Sequence, residues 1–121
     1  MVRTKQIVKV PFSGKNGVYY EDREMTCIDG LGVMQDKGNK VFSVTLTKGN
    51  GIGLNIALAP TFCDAADFAR TLMQNYPNFY DLVEEGKGVV DACRTIQFML
   101  AVHFGTCVEL PFGNFNSNLK N

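Results

Sequence analysis

Apolar and polar positions alternate through residues 2–12. Val2, Thr4, Gln6, Val8, Val10 and Phe12 fall on one side, and Arg3, Lys5, Ile7, Lys9 and Pro11 on the other. Successive side chains of a strand point to opposite faces, so the segment predicts a strand with one basic face. Asn16-Gly17 then offers the positive backbone angles of a tight turn. A return strand begins at Val18 and runs to about Ile28, where Asp29-Gly30-Leu31-Gly32 interrupts it as a bend or bulge. Asp36-Lys37-Gly38-Asn39 predicts a further turn. Residues 41–47 carry the clearest strand pattern. Phe42, Val44 and Leu46 are directed to a core, and Val41, Ser43, Thr45 and Thr47 outward. After a turn at Lys48-Gly49-Asn50-Gly51, Ile52, Leu54, Ile56 and Leu58 are expected to form the matching buried face, with Gly53, Asn55 and Ala57 opposite.

The period changes after Pro60. Thr61 or Asp64 can cap a helix, since a short side-chain oxygen satisfies its free N–H groups. Ala65, Phe68, Ala69, Leu72 and Met73 then recur at helical spacing until Tyr76-Pro77 stops the pattern. Asn78 can start a second, short helix through Glu85, and Gly86-Lys87-Gly88 breaks it. A third helix is predicted over residues 89–104, with Val89, Cys93, Ile96, Leu100 and Phe104 along one face and Gly105 as its stop. Residues 106–112 suggest a short last strand, and the Asn-rich residues 113–121 a frayed tail. The predicted fold is therefore α+β within a single domain spanning residues 1–121. An N-terminal twisted antiparallel sheet of about five strands in hairpins (residues 1–60) carries two to three helices on one face (residues 61–105), and a short final strand follows.

Size and composition suit that picture. A chain of 121 residues with 45% apolar and 20% charged positions is long enough and apolar enough to bury one core. Twelve basic and twelve acidic residues cancel, which argues against a protein that coats nucleic acid by charge and against an acidic mimic of it. The cancellation hides an asymmetry: residues 1–60 hold eight Lys or Arg against five Asp or Glu, and residues 61–121 hold four against seven. No apolar run approaches a membrane span, and the start lacks the apolar stretch of a secretory signal. Cys27, Cys63, Cys93 and Cys107 are widely spaced with no CxxC pair, so neither a zinc site nor a disulfide framework is expected. Reduced thiols point to a reducing compartment, and the cytoplasm is the expected location.

Few residues suggest chemistry. The glycine-rich stretches at Gly14-Lys15 and Gly49–Gly53 are not followed by a helix, so they are hairpin turns rather than phosphate-binding loops. His103 and Cys107 could form a base and a nucleophile, but such a thiol also needs exposure and an oriented imidazole, and a structural role outweighs catalysis. Asp64 with Asp67, and Asp81 with Glu84 and Glu85, read as solvated helix starts rather than metal ligands. No catalytic residue, metal ligand or cofactor is expected.

Two surfaces remain. If helices cover one face of the sheet, the other is expected to present Arg3, Lys5, Lys9, Ser43, Thr45, Thr47 and Asn55, which are donors suited to phosphate or sugar oxygens. Tyr19 and Tyr20 could add a stacking ring. The second surface is the nearly all-apolar stretch from Phe98 to Phe104, too apolar for a small domain to bury on every side. Ile96, Met99, Leu100, His103 and Phe104 are its expected interface residues, and a homo-oligomer, a homodimer at the simplest, is the expected state. The leading expectation is a non-catalytic binding protein that holds an anionic, nucleotide-like small molecule on the basic face or in a subunit groove. The alternatives are a protein-interaction module or inhibitor acting through its apolar helices, and a single-strand nucleic-acid binder, which zero net charge disfavours.

Overall fold

A computed structural model describes residues 3–35, 40–47 and 53–111. The described residues form β1 (Arg3–Gly14), β2 (Gly17–Ile28), β3 (Leu31–Gln35), β4 (Phe42–Thr47), β5 (Gly53–Ala59), α1 (Phe62–Asn75), α2 (Phe79–Glu85) and α3 (Val89–Phe104). The strands make one antiparallel sheet in the order β1-β2-β3-β4-β5, each beside its neighbour in sequence. The predicted turns at residues 36–39 and 48–51, the position Ile52, and the tail beyond residue 111 lie outside the described residues.

β1 and β2 pair along their whole length, from Arg3 opposite Ile28 to Gly14 opposite Gly17. Gly17 closes that hairpin at φ 109°, a region costly for a side chain with a Cβ. The expected interruption at residue 29 is a tight hairpin turn instead. Ile28 pairs with Leu31 across Asp29 and Gly30, and both turn residues have positive φ, 50° and 97°, as the twist of a two-residue hairpin requires.

β3 is short, and it pairs only with Thr26, Cys27 and Ile28 of β2. Beyond Met25 the long hairpin leaves β3 and folds across the back of the sheet. Two glycines make room for it. A Cβ at Gly32 would lie 2.7 Å from Met25 Sδ, and one at Gly53 would lie 2.9 Å from Val8 Cγ1. Val8, Val10 and Met25 form a small core there, with Phe12 and Met34 against it.

The main core lies on the other face. Ile28, Leu31, Val33, Val44 and Leu46 meet Phe68 and Leu72 of α1 and Ile96 and Leu100 of α3. Each such fully buried side chain contributes roughly 1.5–3 kcal/mol against exposure. α1 lies directly on β2 to β5, α3 packs on α1, and α2 on α3. Thr61 caps α1 by accepting the Asp64 N–H at 3.1 Å.

Two strand expectations change. A bulge between Val44 and Thr45 pairs Val44 with Ala57 and Thr45 with Asn55, so Ile56 is the extra residue. One extra residue reverses the alternation. Ala57 is therefore buried with the main core, while Leu58 stands opposite Ser43 and Leu54 is exposed. Among the described residues the expected last strand shrinks to a single bridge between Leu58 and Glu109, with N···O distances of 2.7 and 2.8 Å.

Candidate functional site

The strand register separates the residues of the expected anion face. Opposed residues of antiparallel strands share a face. Lys5 and Lys9 stand opposite Thr26 and Asp22, on the face that continues through Thr26–Val33 and Val33–Val44 toward the helices. Arg3 shares that register position through Ile28. Ser43, Thr45 and Asn55 belong to the other face, through Gly32–Thr45, Met34–Ser43 and Thr45–Asn55. Thr47 stands opposite Gly53 on that same second face. The cations and the hydroxyls thus lie on opposite sides of the sheet. The expectation that they converge is corrected, because the basic side of β1 is continuous with the helix-facing side of the sheet.

Burial separates them further. The folded-over hairpin leaves Ser43 and Thr45 only 1% exposed. Ser43 Oγ donates to the Met34 carbonyl oxygen at 3.4 Å, and Thr45 Oγ1 donates to Asn55 Oδ1 at 3.0 Å. These hydroxyls are satisfied inside the fold. Lys5 and Lys9 are exposed on the outside of the hairpin, but acids stand beside them. Lys5 Nζ is 3.9 Å from Glu24 Oε1, and Asp22 is the cross-strand partner of Lys9. Arg23, on the inner side, donates from Nη2 and Nε to Glu21 Oε1 at 2.7 and 3.1 Å. Local pairing of this kind leaves little field to attract an anion. Tyr19 and Tyr20 are adjacent in β2 and so point to opposite faces. Tyr19 stacks on Phe12 at 5.7 Å between centroids, and Arg23 covers the Phe12 ring at 5.1 Å.

The second surface holds together in a different form. Ile96 and Leu100 are buried in the protein's own core, and Met99 is half-buried against it. They are core residues rather than interface residues, because α1 and the sheet take up that side of α3. His103 and Phe104 are exposed, Phe104 at 74%. Two residues absent from the expected set are exposed as well: Phe98 at 70% and Val102 at 57%. They stand one turn apart on the outer side of α3, whereas Phe104 lies one turn from Leu100, beside α1. At 3.6 residues per turn, Phe98 lies roughly 160–200° around the helix from Ile96 and Leu100. Its outward position could have been found from that arithmetic.

Gly105, at φ 68°, ends α3 and turns the chain back along it. The Thr106 N–H donates to the Leu100 carbonyl oxygen at 3.2 Å, and Gln97 Nε2 donates to the Val108 carbonyl oxygen at 2.7 Å. These bonds and the Leu58–Glu109 bridge fix residues 106–109 beside the helix. A groove of about 300 Å³ runs between them, lined by Gln97, Phe98, Ala101, Thr106, Cys107 and Val108, with Glu109 at its end. From Thr95 to Val108 the chain contains no Asp, Glu, Lys or Arg.

No hydrogen bond joins His103 to Cys107 among the described residues, and no group of three or more His, Cys, Asp or Glu lies together there as a metal would need. No helix among them is long and apolar enough to cross a membrane. The fold is an α+β sheet-and-helix layer, and its most distinctive surface is an uncharged helix face beside a groove. Comparison with known protein families, curated proteins and solved structures gives no match.

Proposed function

We propose that this is a non-catalytic binding protein that acts through protein–protein contact at the outer face of α3. The observation that carries it is the exposure of Phe98 and Val102, one helical turn apart, within a stretch free of charged side chains. Interface centres are enriched in aromatic residues and depleted of charge, and clustered exposed apolar side chains mark interaction sites. The groove beside Phe98 gives a partner side chain a place to be buried, as contact hot spots require.

Binding of a nucleotide-like anion on the sheet has weaker support, since its cations and hydroxyls occupy opposite faces and its lysines stand beside acids. A reducing, cytoplasmic setting fits the four unbridged cysteines.

The test is a photoactivatable phenylalanine analogue at position 98, with one at Tyr20 on the hairpin as the comparison. Crosslinking to protein at 98 and not at 20 is expected. Absence of any crosslink at 98, together with a nucleotide-sized mass retained in native mass spectrometry, would replace this function with anion binding.

A further inference from the structure

We infer that the edge of β2 that turns away from β3 accepts an extended segment of another protein as an added strand, and that the segment it fits carries Lys or Arg at alternate positions. This is a second contact, separate from the outer face of α3.

The ladder between β2 and β3 stops early. Thr26 pairs with Val33 and no pair follows, although β2 reaches back to Gly17 and β3 on to Gln35. Antiparallel partners exchange hydrogen bonds at every second residue. The two-residue turns fix which residues those are, since Gly14 with Gly17 and Ile28 with Leu31 are the pairs that close them. Odd-numbered residues of β2 therefore bond to β1, and even-numbered ones direct their N–H and C=O toward β3. Ile28 and Thr26 meet it. Glu24, Asp22, Tyr20 and Val18 do not, and among the described residues no other strand pairs with them. All four are exposed.

Where the strands part, a cavity of about 230 Å³ opens, bordered by Arg23, Glu24 and Thr26 of β2 and by Met34 and Gln35 of β3. Register puts Arg23 and Met34 on one face of the sheet and the other three on the opposite face, so the gap runs between the two backbones. Free ladder groups on alternate residues recur about every 6.8 Å, the repeat of a strand. A helix turns its own N–H and C=O inward and cannot pair with them. The geometry thus asks for an extended segment, and the cavity has room for one of its side chains.

Charge selects the sequence of that segment. β1 carries Arg3, Lys5 and Lys9 and no acid, whereas β2 carries Glu21, Asp22 and Glu24 against Arg23 alone. Arg23 is already held by Glu21 at 2.7 Å. Residues of an added strand opposite Asp22 and Glu24 would have Cβ atoms about 4.5–5.5 Å from theirs. The lysines of β1 would be two strands away, at roughly 9–10 Å. An incoming Lys or Arg therefore meets the carboxylates at about half the distance of the lysines. The outer edge of β1 differs, because edge lysines and Pro11, which has no N–H, both discourage pairing there. Two copies joined along β2 would crowd the Asp22 and Glu24 carboxylates of both, which disfavours a copy as the added strand.

The experiment is residue-resolved amide exchange by NMR on the full chain, alone and with a probe peptide, acetyl-Lys-Thr-Arg-Thr-Val-Thr-Val-amide. The comparison probes are its analogue with Glu replacing Lys and Arg, and one N-methylated at Arg and at the first Val, which would face the edge. In the free protein the amides of Tyr19, Glu21 and Arg23 are expected to be protected and those of Tyr20, Asp22 and Glu24 to exchange freely. The basic probe at saturation should slow the second group at least about tenfold, and neither comparison probe should. An Asp22→Lys, Glu24→Lys protein should bind the basic probe at least about tenfold more weakly, with Tyr19 and Arg23 still protected as a check that the hairpin is intact. Protection of Tyr20, Asp22 and Glu24 in the free protein at every concentration would mean that the chain's own residues fill the edge. Protection that grows with protein concentration would name a second copy instead. Either result, or a basic probe that leaves these amides unchanged or is matched by the acidic or N-methylated one, would overturn the inference.

Discussion

Burial pushes the Cys93 thiol up to about 12, above the ordinary thiol value of about 8.5. The unfolded chain releases that proton first as pH rises, so the folded state binds more protons across the interval. Stability is then fully present below the unfolded value and falls as pH climbs toward the folded one. Burial also raises Tyr80, whose hydroxyl donates to the Gly30 carbonyl oxygen at 2.6 Å, and it acts with the same sign. Urea midpoints measured from pH 7 to pH 10 are therefore expected to decline on the alkaline side. A Cys93→Ala variant should be less stable at pH 7 by about 1–2 kcal/mol, from the small cavity, yet show a flatter decline. An equal decline in both proteins would exclude Cys93 as its source. The four thiols also divide by exposure. Cys63 and Cys107 are exposed, while Cys27 and Cys93 are buried, and Cys27 Sγ donates to Gln6 Oε1 at 2.8 Å. A thiol reagent should label Cys63 and Cys107 in the native protein and reach the other two only on unfolding. Mass spectrometry of the labelled peptides reads this directly. The cysteines' spacing in the sequence argued for free thiols; which of them face solvent depended on chain segments far apart in sequence.

At the scale of elements, strand alternation and helical period were legible because each is set by near neighbours. The Thr61 cap, the three helices and the antiparallel hairpins all follow from patterns a few residues long. The reach of the β1–β2 hairpin was not legible. Its alternation puts Val8 and Val10 on one side, but only the close approach of Gly32 to Met25 and of Gly53 to Val8 shows what that side covers. Gly53 lies where a side chain would overlap both Val8 Cγ1 and Thr45 Cγ2. Gly53→Val should therefore force the hairpin off the sheet and cost about 1–3 kcal/mol, the range for overpacking. Chemical denaturation measures the loss, and hydrogen exchange should show it concentrated at Val8, Val10 and Met25. Stability equal to the unmodified protein would mean that the hairpin is not seated there. The bulge at Val44/Thr45 escaped the sequence for a related reason. Ile52, Leu54, Ile56 and Leu58 alternate cleanly, and nothing local marks Ile56 as the residue without a partner.

For the whole molecule, the decisive contrast is between the two sides of α3. Leu100 is buried with Phe68 and Leu72 in the main core, whereas Phe98, two residues earlier, faces away from it. An aspartate at position 100 would sit uncompensated in that core. It should unfold the protein or cost several kcal/mol, the scale of a buried unpaired charge. An aspartate at position 98 should leave the melting temperature within a few degrees, since surface changes usually cost under about 0.5 kcal/mol. Thermal melts of the two variants check this, and a Phe98→Asp protein as unstable as Leu100→Asp would put Phe98 in the core after all.

What the sequence determined by itself is the order and type of the elements and the apolar character of α3, since backbone geometry and periodicity act locally. It also marked residues 95–108 as free of formal charge. Which sides of those elements meet was decided by tertiary structure. Face assignment depends on register, and register depends on a bulge, on two glycines that admit a folded-over hairpin, and on where β2 leaves β3. Those choices put the lysines of β1 and the hydroxyls of β4 on opposite faces. They also turned Ile96 and Leu100 inward and left Phe98 and Val102 exposed, because a helix in a small domain has core to meet on one side only.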